Sequence, residues 1–345
     1  MSMVLAEFAK RQVPFLGSAL ISEQSYKQLL NFFSHLPLRL YSPSLLFELV
    51  LNQQNRRVDF GFALDLEKSS LEQIATSCST AVKLRKNRHW ANFISFLKVS
   101  AESEVYKNSL KEFWMFFDFH SLDDTGQEAI ILDPNVYFLF RQTHNIDLIE
   151  SVYSFFSSKQ LSQRTQERCQ RCYEICKLFQ LHVGYVGLMN ARSLDSIRFY
   201  IAGNHLRARL RDFLAALDYP CDITPVHALL QKFDSDLDVT MLGIDVGGSV
   251  HDRIGIECRV LDRENHSFVF QKRQWLSIFA VLRSLNIASC EQEKALANWI
   301  GGTEVRCSTS TSFHVRSINS LKFVFDKSGT ITTKIYLEAE DWNPS

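Results

Sequence analysis

Hydrophobic and polar residues alternate along several short stretches of this chain, most clearly near its end. Within residues 332–338, Lys334 and Tyr336 fall on one side of a predicted strand, and threonine, isoleucine and leucine occupy the other side. Residues 321–325 alternate in the same way, and residues 326–329 supply a tight turn between the two stretches. The sequence therefore predicts a terminal β-hairpin with one apolar face and one face that carries cations and a phenol.

Similar strands are predicted upstream, and amphipathic helices separate them. The first predicted strand, residues 57–64, alternates large apolar residues with charged or small ones. Two more strands are predicted at residues 113–119 and 136–141, and two hairpins at residues 183–201 and 241–260. Helices are predicted at residues 68–112, 146–180, 206–217, 224–233, 273–285 and 291–299. The repeating unit is thus strand, strand, helix, helix.

This repeat limits the possible architectures. Strands joined by short turns are antiparallel, which excludes the alternating parallel barrel and the doubly wound sheet. An open sheet with a wet polar face and a closed barrel with a polar lumen both remain. The polar face also carries Trp114, Phe116 and Tyr137, which a surface would rarely expose, and this favours the closed barrel. We predict an α/β fold of one domain, in which a mainly helical segment, residues 1–56, precedes an antiparallel β-barrel of ββαα units with helices outside, residues 57–340.

Charge and composition narrow the classes of function. Lys+Arg and Asp+Glu both total 38, so there is no overall attraction to nucleic acid or to an anionic membrane. No apolar run approaches the roughly 20 residues that span a bilayer. The first residues lack the apolar core of a signal peptide, and we therefore expect a cytoplasmic protein without a membrane span.

The eight cysteines are scattered along the chain, which is typical of reduced thiols. Cys169, Cys172 and Cys176 have a spacing that a metal or iron–sulfur site would also use. Residues 163–180 around them are predicted to be helical, and on a helix this spacing places small apolar side chains on one buried face. We favour the buried face and predict no protein-bound metal there.

The polar face of the predicted strands brings together cations, phenols and an acid. Arg198 and Tyr200 on one strand repeat the arrangement of Lys334 and Tyr336 on another. Guanidinium and ammonium groups suit phosphate oxygens, and aromatic faces stabilise a carbocation by about 2 kcal/mol or more when water is excluded. A carboxylate on the same face, Asp59, would position or deprotonate a nucleophile. This set indicates chemistry in which a diphosphate leaves and a carbocation is captured.

The ββαα repeat, the terminal Lys334-x-Tyr336 strand and the early inward acid resemble the ABBA-type, or PT-barrel, prenyltransferases, in particular the peptide-modifying kind of cyanobactin pathways. The resemblance implies transfer of an isoprenyl group from dimethylallyl or geranyl diphosphate to a side chain of a ribosomally made peptide, commonly helped by Mg²⁺. It also implies that an acid on the first barrel strand acts on the acceptor. That role falls here on Asp59, where the family often has Glu, whereas Glu48 is expected on a helix surface. The residues implied for diphosphate binding are Arg198, Tyr200, Arg253, Lys322, Lys334 and Tyr336, and the expected aromatic lining is Trp114, Phe116 and Tyr137.

Two other interpretations stay open. Residues 242–249 resemble the phosphate-binding opening of actin-like sugar kinases, although a hairpin turn alone explains their two glycines. A non-catalytic protein that cradles a peptide in a modification pathway is the other alternative. Convergence of Arg198, Lys322 and Lys334 on one space would favour the enzyme, and their spreading into solvent would favour the scaffold.

Overall fold

A closed ring of antiparallel strands occupies the centre of the molecule in a computed structural model of the protein. The structure describes residues 3–36, 39–40, 44–52, 56, 58–65, 71–80, 87–119, 132–141, 146–157, 159–189, 196–233, 236–260, 268–306 and 311–342. The strands are β1 (Met3–Val4), β2 (Arg39–Leu40), β3 (Ser44–Val50), β4 (Val58–Asp65), β5 (Leu110–Phe117), β6 (Asn135–Phe140), β7 (His182–Leu188), β8 (Ile197–Ala202), β9 (Leu237–Val246), β10 (Val250–Val260), β11 (Gly301–Arg306), β12 (Thr311–Phe325) and β13 (Ile331–Trp342).

Ten of these strands, β3 to β10 with β12 and β13, form the barrel. Pairing of β10 with β12 and of β13 with β3 closes the ring, and β11 extends the first half of β12. Each pairing among the described residues is antiparallel. The predicted antiparallel barrel of ββαα units is therefore confirmed, and the open-sheet alternative is wrong.

Helices lie between successive hairpins, as the repeat predicts. They are α1 (Leu5–Gln12), α2 (Glu23–Ser34), α3 (Leu71–Thr80), α4 (Arg88–Glu102), α5 (Glu104–Ser109), α6 (Ile146–Ser157), α7 (Gln163–Leu178), α8 (Leu206–Ala216), α9 (Thr224–Gln231), α10 (Phe268–Ser284) and α11 (Cys290–Trp299). Helix α4 shows why they form here, because Asn87 caps its first turn by accepting a hydrogen bond from the Trp90 amide. Trp90, Phe93 and Leu97 recur at helical spacing and are buried. The Trp90 ring stacks on Phe117 of β5 with centroids 5.9 Å apart, which attaches the helix to the barrel wall.

The side chains of the barrel divide into two apolar clusters. The large cluster joins outward residues of the strands, such as Phe60 and Phe113, to the buried faces of the helices. Tyr137, Met189 and Tyr200 form a separate small cluster on the other face of the sheet. Burial of each large apolar side chain contributes about 1.5–3 kcal/mol, so the outer layer supplies most of the stability and leaves the inner face available for polar residues.

The prediction that residues 1–56 are mainly helical is wrong at the C-terminal end of that segment. Residues 44–50 lie within the segment predicted to be helical, but they form β3, the first barrel strand, so the barrel begins 13 residues before its predicted start at residue 57. Leucine occupies both faces of this strand, since Leu45 points outward and Leu46 inward. The alternation is therefore hidden, and only Glu48 marks the inward face.

Two predicted turns have different outcomes. In the last hairpin, Gly329 adopts a φ of 75° and its N–H donates to the Asp326 carbonyl at 3.0 Å, which confirms the tight turn between β12 and β13. Residues 242–249 belong to the hairpin of β9 and β10, in which Val246 pairs with Val250. The kinase interpretation is therefore wrong, because its motif requires a strand that opens a separate nucleotide-binding domain.

The cysteine cluster lies on the buried side of α7. Cys169, Cys172 and Cys176 have no exposed surface, and burial raises the pKa of the Cys169 thiol to about 12. The described part of the chain holds no group of three His, Cys, Asp or Glu side chains arranged to bind a metal. Within the same residues, no helix has both the length and the apolar character needed to cross a bilayer.

Candidate active site

The inward faces of the strands enclose two adjoining cavities. One, of about 40 Å³, is lined by Arg198, Lys322 and Lys334, and we name it the cationic compartment. The other, of about 110 Å³, is lined by the rings of Trp114 and Tyr185 among others, and we name it the aromatic compartment. The side chains common to both linings are Glu48, Phe116, Tyr137, Tyr200 and Tyr336.

Strand register places the two lysines of the cationic compartment side by side. Lys322 of β12 lies directly opposite Lys334 of β13, and both side chains are at least nine-tenths buried. Like charges at directly opposed positions destabilise a sheet. The pair is kept because carboxylates lie on either side, Glu257 opposite Lys322 and Glu48 diagonal to Lys334.

Glu48 binds both residues of the Lys334-x-Tyr336 pattern. Lys334 Nζ donates to Oε1 of the carboxylate, and Tyr336 Oη donates to Oε2. Burial alone would raise the pKa of Glu48, but the charges of Lys334 and Lys322 and the two hydrogen bonds outweigh it and lower the pKa to about 2 from its ordinary 4.5. Glu48 is therefore an ionised carboxylate at neutral pH.

Lys322 has a second carboxylate as its partner. Its Nζ lies 3.0 Å from Glu257 Oε1 and 3.0 Å from the Tyr200 hydroxyl. The same ammonium lies 4.6 Å from the centroid of the Tyr200 ring and 5.9 Å from that of Tyr336. Burial raises the pKa of Tyr200 above its ordinary value, so this phenol stays protonated and can donate a hydrogen bond.

Arg198 forms the third buried ion pair. Its Nε and Nη2 donate to the two carboxylate oxygens of Asp245 at 2.7 and 2.6 Å, in the fork geometry that guanidinium also uses for phosphate. The two residues are direct partners across β8 and β9. Each of the three buried lumen cations thus holds a carboxylate in this structure.

Of the remaining predicted site residues, Arg253 is exposed but lines the cationic compartment from its rim. Asp59 also lines that compartment, is 3% exposed, and accepts a 2.6 Å hydrogen bond from the Phe119 amide through Oδ1. It lies on β4, the second barrel strand. Glu48 lies directly opposite it on β3, so the position of an acid on the first strand belongs to Glu48.

The expected aromatic lining is present and forms a continuous series of rings. Centroids are 5.9 Å apart for Trp114 and Phe116, 5.3 Å for Phe116 and Tyr137, and 5.6 Å for Tyr137 and Tyr200. Glycine provides the space, because a Cβ on Gly187 would lie 2.6 Å from the Tyr137 ring. The first of these contacts is stacked and the other two are edge-to-face, and aromatic pairs of either kind contribute about 0.5–1.5 kcal/mol each.

Sequence reasoning thus predicts the inward position of the candidate residues on the later strands but not that of Glu48 on the first. A period of two in residues 44–50 is the signal that would have found it, and leucine on both faces hides that signal. Glu257 and Asp245 each stand between apolar neighbours in their strands, so the alternation gives their face but not their partners. Their importance follows from cross-strand register, which the sequence does not specify.

A magnesium site made of protein side chains alone is not present among the described residues. Glu48, Glu257 and Asp245 each bind a lysine or arginine, and no three acidic, histidine or cysteine side chains of the described residues converge. Magnesium is usually bound through one or two carboxylates together with water and substrate phosphate oxygens, so an ion that accompanies the diphosphate stays a prediction.

No family model matches this sequence, and no curated protein does. The solved structures that share its fold include the three that follow. AnaPT from Neosartorya fischeri matches with a TM-score of 0.55 and 12% identity over 97% of this chain and 94% of its own. The 5-dimethylallyl tryptophan synthase from Streptomyces coelicolor, in complex with DMASPP and Trp, matches with a TM-score of 0.56 and 12% identity over 98% of this chain and 95% of its own.

The third is the prenyltransferase PriB in a ternary complex with L-tryptophan and dimethylallyl thiolodiphosphate, with a TM-score of 0.55 and 10% identity over 97% of this chain and 96% of that one. At such identities the likeness concerns the fold alone. The peptide-modifying kind of prenyltransferase is not among these three structures. The chain therefore has the fold of the ABBA, or PT-barrel, aromatic prenyltransferases.

Proposed function

We propose that this protein transfers an isoprenyl group, dimethylallyl or geranyl, from its diphosphate to a side chain of a ribosomally made peptide. One observation carries the proposal. Arg198, Lys322 and Lys334 converge on one enclosed compartment, and that compartment adjoins a second one lined by aromatic rings. The arrangement provides cations for the leaving diphosphate and π-faces for the organic cation it leaves behind.

The reaction divides between the two compartments. The C1–O bond of the allylic diphosphate breaks, its electron pair stays on the diphosphate, and Arg198, Lys322 and Lys334 balance the developing charge. Tyr200 and Tyr336, which line both compartments, supply phenol donors on one side and ring faces on the other. The allylic cation then meets the acceptor in the aromatic compartment.

Glu48 is the group we assign to the acceptor. It lines both compartments and is ionised at neutral pH, so it can receive the proton released after the new bond forms. Asp59 remains a second candidate for this role, as the sequence suggests, but its described hydrogen bond fixes the backbone at Phe119.

An electron-rich aromatic side chain suits the second compartment best. A cavity of about 110 Å³ is slightly smaller than the roughly 150 Å³ engineered cavity that binds benzene, and this one has an opening rather than a closed wall. A ring carried on a peptide enters such a site while its backbone stays outside. The peptide as carrier of the acceptor rests on the resemblance to the cyanobactin-type enzymes.

The test is incubation of the purified protein with dimethylallyl or geranyl diphosphate and a panel of acceptors, read by intact mass. The panel contains L-tryptophan and short peptides with a single tryptophan or tyrosine, each with Mg²⁺ and with EDTA. We expect one isoprenyl increment on a peptide and none with Glu48→Gln. Increments on free tryptophan alone would reject the peptide acceptor, and no increment on any acceptor would reject the transferase.

A non-catalytic peptide-binding protein is the second candidate, and one observation favours it. Arg198, Lys322 and Lys334 each already bind a carboxylate, so the compartment lacks the net positive charge that would attract a diphosphate most strongly. Under this alternative the peptides bind with the same affinity with and without the diphosphate and remain unmodified.

A further inference from the structure

One ion pair of the lumen crosses from the cationic to the aromatic compartment. Lys322 lines the cationic compartment, whereas its partner Glu257 lines the aromatic one. Their Nζ and Oε1 atoms are 3.0 Å apart, and the residues are only 5% and 7% exposed. The pair is therefore a direct electrostatic connection between the two places where, under the proposed function, the substrates bind.

The backbone of β10 is shaped for this contact. A Cβ on Gly255 would lie 2.4 Å from Lys322 Cε, so the lysine chain passes close over the glycine. A side chain at position 255 would displace the lysine and with it the ammonium that Glu257 binds. Glycine at this position, which also lines the cationic compartment, therefore gives Lys322 the space to reach both the compartment and Glu257.

A diphosphate in the cationic compartment would compete with Glu257 for Lys322. Lys322 and Lys334 lie side by side, so a dianion between them offers Lys322 a stronger partner than the single charge of Glu257. A buried carboxylate that loses its cation carries a high free-energy cost unless another donor reaches it. The acceptor in the aromatic compartment is the ligand in position to supply that donor.

We propose that Lys322 exchanges Glu257 for the diphosphate, and that the released Glu257 then binds an N–H or O–H donor of the acceptor. Glu257 is thus a positioning residue that makes the first substrate strengthen binding of the second. The inference rests on the proposed transferase function and adds an order to it, diphosphate first. Because coupling of two binding events is reciprocal, the acceptor also strengthens diphosphate binding by the same factor.

Arg259 is the group that would oppose this exchange. It also lines the aromatic compartment, two residues along β10 from Glu257, and its buried Nε has no hydrogen-bond partner among the described residues. If Arg259 captured the released carboxylate, diphosphate binding would leave the acceptor affinity unchanged. The experiment below distinguishes the two outcomes.

The test uses dimethylallyl thiolodiphosphate, which does not react readily, and indole as a probe with one aromatic N–H. Calorimetry measures each ligand alone and in the presence of the other. In the wild-type protein we expect the analogue to tighten indole binding at least about fivefold. In Glu257→Gln we expect the analogue to bind more tightly than in wild type, because the competing carboxylate is gone. We also expect the analogue no longer to tighten indole binding in this variant.

Asp245→Asn is the matched control. Asp245 also holds a lumen cation, Arg198, but lines neither compartment. We expect it to change the affinity for the analogue and to leave the coupling to indole intact. If Glu257→Gln does not fold, Glu257→Asp keeps the charge with a shorter reach and should reduce the coupling with little effect on melting temperature.

The outcomes separate the two proposals. Failure of the analogue to bind the wild-type protein would reject the transferase function itself. Binding of the analogue without tighter indole binding, or equal coupling in wild type and Glu257→Gln, would overturn the exchange and leave the transferase standing.

Discussion

The two compartments of the lumen differ in the kind of contact that shapes their walls. In the cationic compartment, lysine and arginine are held by carboxylates from neighbouring strands, and the cavity is small because the charges meet across it. In the aromatic compartment, rings stand over glycines and leave a larger space. Under the proposed function, the difference teaches that recognition of the diphosphate would require exchange of ion-pair partners, whereas recognition of the acceptor would require filling of a shaped space.

Replacement of Lys334 is the strongest test of this difference between the two compartments. Lys334→Ala leaves the buried Glu48 without its cation, and we expect a loss of about 3–5 kcal/mol in the free energy of unfolding. Any folded fraction should lose at least about 100-fold in kcat/KM, because one diphosphate ligand is missing. Urea denaturation and the mass assay measure the two effects.

Lys327→Ala is the control for that variant. Lys327 lies in the turn of the same hairpin, its side chain is 78% exposed, and its ion pair with Asp252 is at the surface. Neither stability nor activity should change measurably. Equal losses in both lysine variants would contradict a special role for the lumen.

Glu48→Gln removes the acid and keeps its shape. We expect kcat to fall about 10²- to 10⁴-fold with little increase in KM for the diphosphate, because a proton acceptor is lost while the lysines remain. Asp59→Asn, on the next strand, should cost less. Steady-state kinetics measure the loss of kcat in each variant. A larger loss in Asp59→Asn would favour Asp59 over Glu48 as the acid, as the sequence predicts.

The low pKa of Glu48 predicts a stability effect with a defined sign. Because its pKa falls from 4.5 when unfolded to about 2 when folded, the ionised form stabilises the protein by about 3 kcal/mol above pH 4.5. This contribution is lost as the pH falls from 4.5 toward 2. The difference in unfolding free energy between wild type and Glu48→Gln, measured by urea titration, should narrow over that range and stay constant from pH 5 to 7.

The smallest effect is expected in the aromatic compartment. Gly187→Ala places a Cβ 2.6 Å from the Tyr137 ring, so the ring must move and we expect a several-fold rise in KM for the acceptor and a stability loss of about 1–3 kcal/mol. Gly184→Ala on the same strand is the control, since its Cβ would meet its neighbours at ordinary distances, the nearest being the Tyr200 carbonyl at 3.6 Å. Diphosphate KM should stay unchanged in both.

The sequence predicts the later strands of this barrel well, for a physical reason. Arg198, Tyr200, Lys334 and Tyr336 alternate with large apolar residues, so both the strand and its inward face are visible in the pattern. Strand β3 has leucine on both faces and lacks this contrast. It was therefore missed, and with it Glu48.

Strand register is the second feature that the sequence does not predict. The alternation identifies which side chains face inward, but it does not reveal that Lys322 stands between Lys334 and Glu257, since the β10–β12 pairing joins strands about 65 residues apart in sequence. The sequence around Asp245 likewise shows only a glycine-rich turn, and the pairing of β8 with β9 is what makes this residue the partner of Arg198. Pairing between distant strands depends on closure of the whole ring.

The pairing of β3 with β13 has a consequence for how the protein is made. Glu48 and Lys334 are separated by 286 positions, so a ribosome adds most of the barrel after the first residue before the second appears. Until then the barrel has an open seam, and Glu48 lacks both the lysine and the tyrosine that bind it in the closed ring. A product truncated before β13 would have neither a closed wall nor the Lys334 and Tyr336 side chains of the candidate site.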